Sequence, residues 1–260
     1  EVLLDGKILA NGAPYSYAGG SGGGIYIKTS RLGGAGVIEA RGGDSSYAGG
    51  GGGRVAIVGY EAGQPTGSFA EPDLYSKVTL YGGRSSHKTG GAGTLYMRPL
   101  AQTWGNLVVD NGGAVATTPL PAVPEGDLEL VGPDSIEDLS ASLAPDLFAG
   151  YLVNPNTAQN ATVTLTDDVL FRIVSNSATE MVLHSDPRGV AAVGSRYRTV
   201  HVFENLEVRG SAQLSTDADL LVMSGDLSTG DYTTFRTSGT TNARYLELAG
   251  VTRVVYDGGR

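Results

Sequence analysis

Ile38-Glu39-Ala40-Arg41-Gly42, Ser46-Tyr47-Ala48-Gly49-Gly50 and Gly52-Gly53-Arg54-Val55-Ala56-Ile57 are the stretches whose reading decides the fold. Each has a counterpart thirty residues earlier, with no gap: Ile8-Leu9-Ala10-Asn11-Gly12, Ser16-Tyr17-Ala18-Gly19-Gly20 and Gly22-Gly23-Gly24-Ile25-Tyr26-Ile27. A shift of forty reaches a third copy, in which Gly82-Gly83 follows Gly42-Gly43, His87 follows Tyr47, and Leu95-Tyr96-Met97 follows Val55-Ala56-Ile57. The ten additional residues fall between Glu61 and Glu71, near Pro65 and Pro72, and read as a loop insertion. A last shift of thirty lays Val108 to Gly113 on Val78 to Gly83. Units therefore begin near residues 8, 38, 78 and 108, and the fourth soon loses the pattern.

Each unit holds two short segments that alternate around small or β-branched residues, such as Val37-Ile38-Glu39-Ala40 and Val55-Ala56-Ile57-Val58. Neither is long enough for a helix, and the glycine runs would break one. A unit this small cannot bury its own apolar face, so it must stack on its neighbour, the logic of a solenoid. Equivalent residues such as Ile27, Ile57 and Met97 then form an interior ladder, with strands about 4.8 Å apart. Glycine suits the corners because it lets backbones approach closely.

Composition narrows the function. Of 260 residues, 40 are glycine, about twice the usual share. No cysteine is present, which excludes disulfides and thiolate metal sites. A net charge of -9 argues against a nucleic-acid partner, which needs a basic face. No apolar run approaches a membrane span, so this segment is not expected to insert. Residues 1 to 30 lack a signal-peptide pattern, which reads as a mature chain or an excised piece.

Beyond Pro119 the prolines at 121, 124 and 133 mark a break. Ile136, Leu139, Leu143 and Leu147 recur at helical spacing, which predicts a short helix from Asp134 to Leu147. Thr162-Val163-Thr164-Leu165, Leu170 to Val174 and Glu180 to Leu183 alternate as strands of a small antiparallel module, separated by turn-forming Asn and Asp. Solenoid spacing then returns. Leu206-Glu207-Val208-Arg209-Gly210 matches Leu246-Glu247-Leu248-Ala249-Gly250 at an offset of forty, and Leu221-Val222-Met223-Ser224-Gly225 at fifteen. The strand-like Arg253 to Tyr256 leaves an end without a cap, which predicts that more protein follows.

The glycine-rich stretches 8–12, 19–27 and 49–57 resemble a repeat region of very large secreted or surface-attached proteins, mainly bacterial. Gly91-Ala92-Gly93-Thr94-Leu95-Tyr96, followed by Leu107 to Gly112, is similar to how such regions end. Gly150 to Asn156 and Phe171 to Asn176 resemble a small β module found beside them. The resemblance covers about two thirds of the chain and implies an extracellular β-helical segment. It implies no catalytic residues.

Candidate chemistry is sparse. His87, His184 and His201 have no partner at metal or triad spacing, and no zinc-protease or nucleophile-elbow motif occurs. The glycine runs lead into strands and lack Gly-Lys-Ser/Thr, which excludes a phosphate cradle. Tyr17, Tyr47 and His87 share one repeat position and are expected to stack as a structural ladder, or to offer aromatic faces to sugar rings. Trp104 is a candidate to extend that platform and equally a core residue. Asp217 and Asp219 share a face if extended and are the only calcium candidates, although the surrounding loop lacks a calcium-binding pattern. Asp167-Asp168 is a poor catalytic pair, because neighbours on a strand point to opposite faces. Asn160-Ala161-Thr162 is a formal glycosylation acceptor.

The sequence thus predicts an all-β chain: a right-handed parallel β-helix with a small antiparallel β insert. Residues 1–118 form the glycine-rich solenoid, 119–200 a linker, short helix and β module, and 201–260 continuing coils. The expected function is that of an extracellular structural or adhesive segment of a larger cell-surface protein, contacting matrix, glycan or other copies of itself. The alternatives are a polysaccharide-binding module and a β-helical lyase or hydrolase. A lyase for an acidic glycan needs clustered cations, and Arg188, Arg196 and Arg198 are the nearest approach to a cluster.

Overall fold

Short β-branched segments bounded by glycine gain little by coiling and much by pairing, and each matched segment of the glycine-rich half is a strand. The computed structural model of the chain describes residues 1–70, 73–158, 169–216, 218–222, 233–237, 240–242, 245–248 and 252–256, the last four as strands only. The protein is all-β, with several sheets that mix parallel and antiparallel pairing.

The first half contains β1 (Val2–Leu3), β2 (Lys7–Leu9), β3 (Gly24–Lys28), β4 (Leu32–Gly33), β5 (Val37–Glu39), β6 (Arg54–Tyr60), β7 (Val78–Thr79) and β8 (Thr94–Pro99). Strands β2, β5 and β7 pair in parallel, with Ile8 beside Ile38 and Ile38 beside Val78. Strands β3, β6 and β8 do the same, with Ile27, Ile57 and Met97 in line. Single bridges join Ala18 to Ala48 and Ala48 to Lys88. The register read from the repeat is therefore the register of the sheets. Ile27, Ile57 and Met97 are buried in one apolar cluster with Ile38, Val55, Val78 and Leu95.

Glycine permits this stacking by its size. A methyl group on Gly83 would come within 1.9 Å of the Gly43 carbonyl oxygen, and one on Gly50 within 2.0 Å of that of Gly20. The glycine ladder ends on Asn111, which is 1% exposed. Its Oδ1 accepts from the Gly82 amide at 2.9 Å, and its Nδ2 donates to Gly90 O at 3.2 Å and Ala114 O at 3.0 Å. One side-chain amide thus satisfies backbone groups that another glycine unit would otherwise pair.

The insertion is not only a loop. It carries a 3-10 turn (Gly67–Phe69), and one helical turn, α1 (Leu74–Lys77), follows it; Phe69 and Leu74 are buried in the first cluster.

The second half contains β9 (Asn106–Asp110), β10 (Ala116–Pro119), β11 (Glu125–Asp127), β12 (Leu130–Val131), β13 (Ser135–Glu137), β14 (Leu152–Asn154), β15 (Phe171–Asn176) and β16 (Glu180–Leu183). It continues through β17 (Arg196–Phe203), β18 (Asn205–Arg209), β19 (Ala212–Ser215), β20 (Asp219–Val222), β21 (Thr233–Thr237), β22 (Thr240–Asn242), β23 (Tyr245–Leu248) and β24 (Thr252–Tyr256).

The fourth unit expected at residue 108 does not stack on Val78. Instead β9 runs antiparallel to β8, with Leu95 beside Val108. From there the sheet continues in parallel through β18, β21 and β24. The reversal exchanges the faces. Val108 still belongs to the first apolar cluster, but Leu107 and Val109 turn to the other side and join Leu206, Val208, Leu214, Leu220 and Val222 in a second. One seven-stranded sheet therefore carries two cores on opposite faces.

The expected offset of forty between Leu206 and Leu246 is also corrected. Leu206 pairs with Phe235, whereas Leu246 pairs with Leu220 in another sheet. Successive strands share one apolar-polar pattern, so sequence similarity crosses from sheet to sheet.

The module is antiparallel, in the order β12, β13, β16, β15, β14, β17. Strand β17 also pairs in parallel with β20, so it belongs to the module and to the second half alike. The short helix expected from Asp134 to Leu147 is not formed. Ser135–Glu137 is β13, paired on one side with β12 and on the other with β16. Leu139 and Leu147 are exposed, and Asp146 is left-handed with φ of 57°. The helical spacing was fortuitous: sheet pairing on both edges satisfies this backbone, and Ile136 reaches the module core from a strand. Strands β15 and β16 lie where the alternation placed them. Thr162 to Leu165, Asp167-Asp168 and the Asn160 acceptor fall outside the described residues.

Asp138 is the polar anchor of this module. Its Oδ1 accepts from the Ser140 amide and hydroxyl, and its Oδ2 accepts from the buried Tyr197 hydroxyl at 3.0 Å. Burial pushes the Asp138 carboxyl up, but these hydrogen bonds outweigh it and hold it below its ordinary value. Burial and the same contact push the Tyr197 phenol well above its ordinary value. A depressed carboxylate contributes stability above its unfolded pKa and loses it as pH falls through the folded one. The denaturant midpoint of the module should therefore drop on acidification below about pH 4, and Asp138→Asn should flatten that limb of the profile.

Candidate functional site

Because equivalent residues of stacked units lie one strand spacing apart, the side chains at the repeat position of Tyr47 must meet. Tyr17 and Tyr47 stack with centroids 4.8 Å apart and planes 9° from parallel. His87 continues the column 5.2 Å from Tyr47, tilted by 33°. The 4.8 Å is the spacing of the backbone ladder itself. Backbone bonds hold it, with the Ala48 amide donating to Tyr17 O and the Lys88 amide to Tyr47 O, each at 3.0 Å. A serine ladder runs alongside. Ser46 donates to Ser16 O through its hydroxyl, Ser86 to Ser46 O at 2.8 Å, and Ser85 to Tyr47 O at 2.8 Å. The Ser86 hydroxyl proton is thus used, and its oxygen lies 2.9 Å from His87 Nδ1. That contact assigns the Nδ1–H tautomer.

The column is exposed: Tyr17 is 64% and Tyr47 37% accessible, and His87 is open to solvent. Its flat faces are turned largely toward one another. It offers a partner ring edges, hydroxyls and the outer face of Tyr17 rather than a row of open faces.

Trp104 does not extend the column. It packs against Leu152, Val169, Leu170, Val200 and Leu221, beside the module. With Tyr96 and Tyr151 it lines a separate cleft of about 340 Å³ that also touches Arg54 and Arg98. The Tyr96 hydroxyl donates to Trp104 O at 2.5 Å, and Glu204 accepts from the Thr103 and Trp104 amides. The indole N–H is buried without a hydrogen-bond partner. Burial pushes the Tyr96 and Tyr151 phenols up. Burial also pushes His201, on the same cleft, below its ordinary value, and it donates from Nε2 to Pro121 O at 3.1 Å in its neutral form. Tyr96 and Tyr151 carry no motif, and only folding brings them to Trp104.

Asp217 lies outside the described residues. Asp219 is fully buried, and its Oδ1 accepts from Arg198 Nη1 at 3.0 Å. That carboxylate oxygen is thus engaged by a guanidinium. Arg198 also pairs with Glu125 at 2.9 Å, Arg196 with Glu125 at 3.5 Å, and Arg188 with Asp186 at 2.7 Å. The three arginines that stood nearest to a cationic cluster are each committed to a carboxylate. Among the described residues, no three His, Asp or Glu side chains converge as a metal site would require.

Comparison of the chain with models of protein families, with curated proteins and with solved structures finds no match in any of the three.

Proposed function

We propose that the chain is a structural or adhesive segment of a larger cell-surface or secreted protein, built as a right-handed parallel β-helix in two runs with an antiparallel module attached. The observation that carries this reading is the Tyr17–Tyr47–His87 column in register with parallel ladders on either side. Such a column repeats one exposed chemistry at a fixed pitch, which suits contact with a repetitive partner: a matrix, a glycan or another copy. In-register pairing at offsets of thirty and forty, and again from β18 to β21 and β20 to β23, supports the helical winding. The resemblance to glycine-rich surface proteins supports a place outside the cell. The mechanism is interfacial, with backbone ladders for stiffness and the outer faces for contact.

The double variant Tyr17→Ala/Tyr47→Ala tests it. Co-sedimentation with insoluble cell-wall polysaccharide, and sedimentation velocity for self-association, should both be run. Loss of about tenfold or more in whichever association the parent shows, at unchanged secondary structure, is the expected result. Turnover of a polysaccharide would overturn the reading, as would associations indifferent to the column.

A further inference from the structure

The helical turn that follows the insertion reaches across the molecule. The Tyr75 hydroxyl donates to Glu207 Oε2 at 2.8 Å, although the two residues are 132 apart in sequence. The Arg209 guanidinium lies 4.0 Å over the Tyr75 ring. Together, this turn and the insertion roof a cleft of about 950 Å³, whose floor is the face of β9 and β18 turned away from the second core. That face continues the plane on which the first core ends, but its residues change from apolar to polar. Asn106 is beside Asn205, and Asp110 beside Arg209. Tyr81 stands at its side, partly exposed, while Tyr60 beneath it belongs to the first core.

We propose that this cleft is a binding site for an uncharged oligosaccharide. It shares no residue with the aromatic column and would stand or fall independently of the scaffold reading. The cleft has the size of small-ligand sites. Its lining combines the partly exposed Tyr75 and Tyr81 rings, of the kind that pack on the apolar faces of sugar rings, with amides and carboxylates that exchange hydrogen bonds with hydroxyls. Asn106 Oδ1 already accepts from Asn205 at 2.6 Å and Gln102 at 3.3 Å, so the side chain is oriented with its NH2 as a remaining donor. Asp110 Oδ1 accepts from the Gly112 amide at 2.8 Å, which leaves Oδ2 as an acceptor. Donor and acceptor stand four residues apart on one strand, about 13 Å at strand rise, which is room for more than one ring. Charge selects against an acidic glycan. Two carboxylates, Asp110 and Glu207, face one guanidinium, Arg209, which is already set on Tyr75, and the chain as a whole carries -9.

Isothermal titration of the intact chain with neutral gluco-, manno- and xylo-oligosaccharides, and with an oligogalacturonate, tests this. At least one neutral series should bind saturably. Asp110→Asn, which keeps the Oδ1 acceptor and hence the turn, should weaken binding about tenfold or more, the size of one charged hydrogen bond. Asn106→Asp, which keeps the acceptor for Asn205 and Gln102 but removes the NH2 donor, should do the same, and Tyr47→Ala should leave the affinity as it was. The proposal is overturned if no neutral series binds, if oligogalacturonate binds more tightly, if affinity survives Asp110→Asn, or if it is lost with Tyr47→Ala.

Discussion

Gly83→Ala should unfold the glycine-rich half, at a cost well above the ~1–3 kcal/mol usual for overpacking. An added methyl group would lie 1.9 Å from the Gly43 carbonyl oxygen and 3.0 Å from the Gly50 amide nitrogen. Both are backbone atoms of the neighbouring unit, and neither can turn aside as a flexible side chain does. Moving them apart would break the bond from the Gly83 amide to Gly50 O at 2.8 Å, which joins the two units. The cause is proximity alone, because Gly83 is not among the residues with a left-handed backbone. Gly24→Ala is the control, since nothing lies within 4 Å of a methyl group there and its backbone is not left-handed. Urea titration followed by circular dichroism should show a large loss of midpoint for Gly83→Ala and almost none for Gly24→Ala. Equal, small effects would mean that the units are not in van der Waals contact at their corners.

Asp219→Ala should cost about 3–5 kcal/mol, the range for removing one partner of a buried ion pair. Asp219 is fully buried and Arg198 is 7% exposed. Their 3.0 Å contact ties β17 to β20, the parallel seam between the module and the second half. Without Asp219 the guanidinium keeps Glu125 at 2.9 Å but loses its buried counter-charge. Replacing both partners should recover most of the loss, because an apolar pair of similar volume needs no desolvation of charge. Arg198→Met/Asp219→Leu is that variant, and equilibrium denaturation of the single and double variants closes the cycle. A single-variant loss below about 1 kcal/mol would contradict a buried pair, as that is the scale of exposed ones.

Legibility differed by element. The glycine-rich register could be read because thirty residues of repetition state which positions are equivalent, and equivalent positions stack. The same logic makes Tyr17, Tyr47 and His87 neighbours. The helix expected from Asp134 to Leu147 went wrong because apolar spacing does not record a β-strand waiting on each side. The pairing of Leu206 with Leu246 went wrong because strands of different sheets share one local pattern. Asp219 read as a calcium candidate because its partner, Arg198, lies twenty-one residues away in sequence and is brought to it only by parallel pairing.

The excess of glycine, the alternation of short apolar segments and the offsets of thirty and forty were by themselves sufficient to determine the register of the three stacked units, though not the pair β1 and β4. Those are local properties repeated, and backbone pairing multiplies them. The antiparallel step from β8 to β9, the exchange of the sheet's inward face and the cleft closed by Tyr75 and Glu207 were decided only by the tertiary structure. These depend on which of several similar edges meets which, and that choice is made by side-chain packing and chain closure between residues far apart.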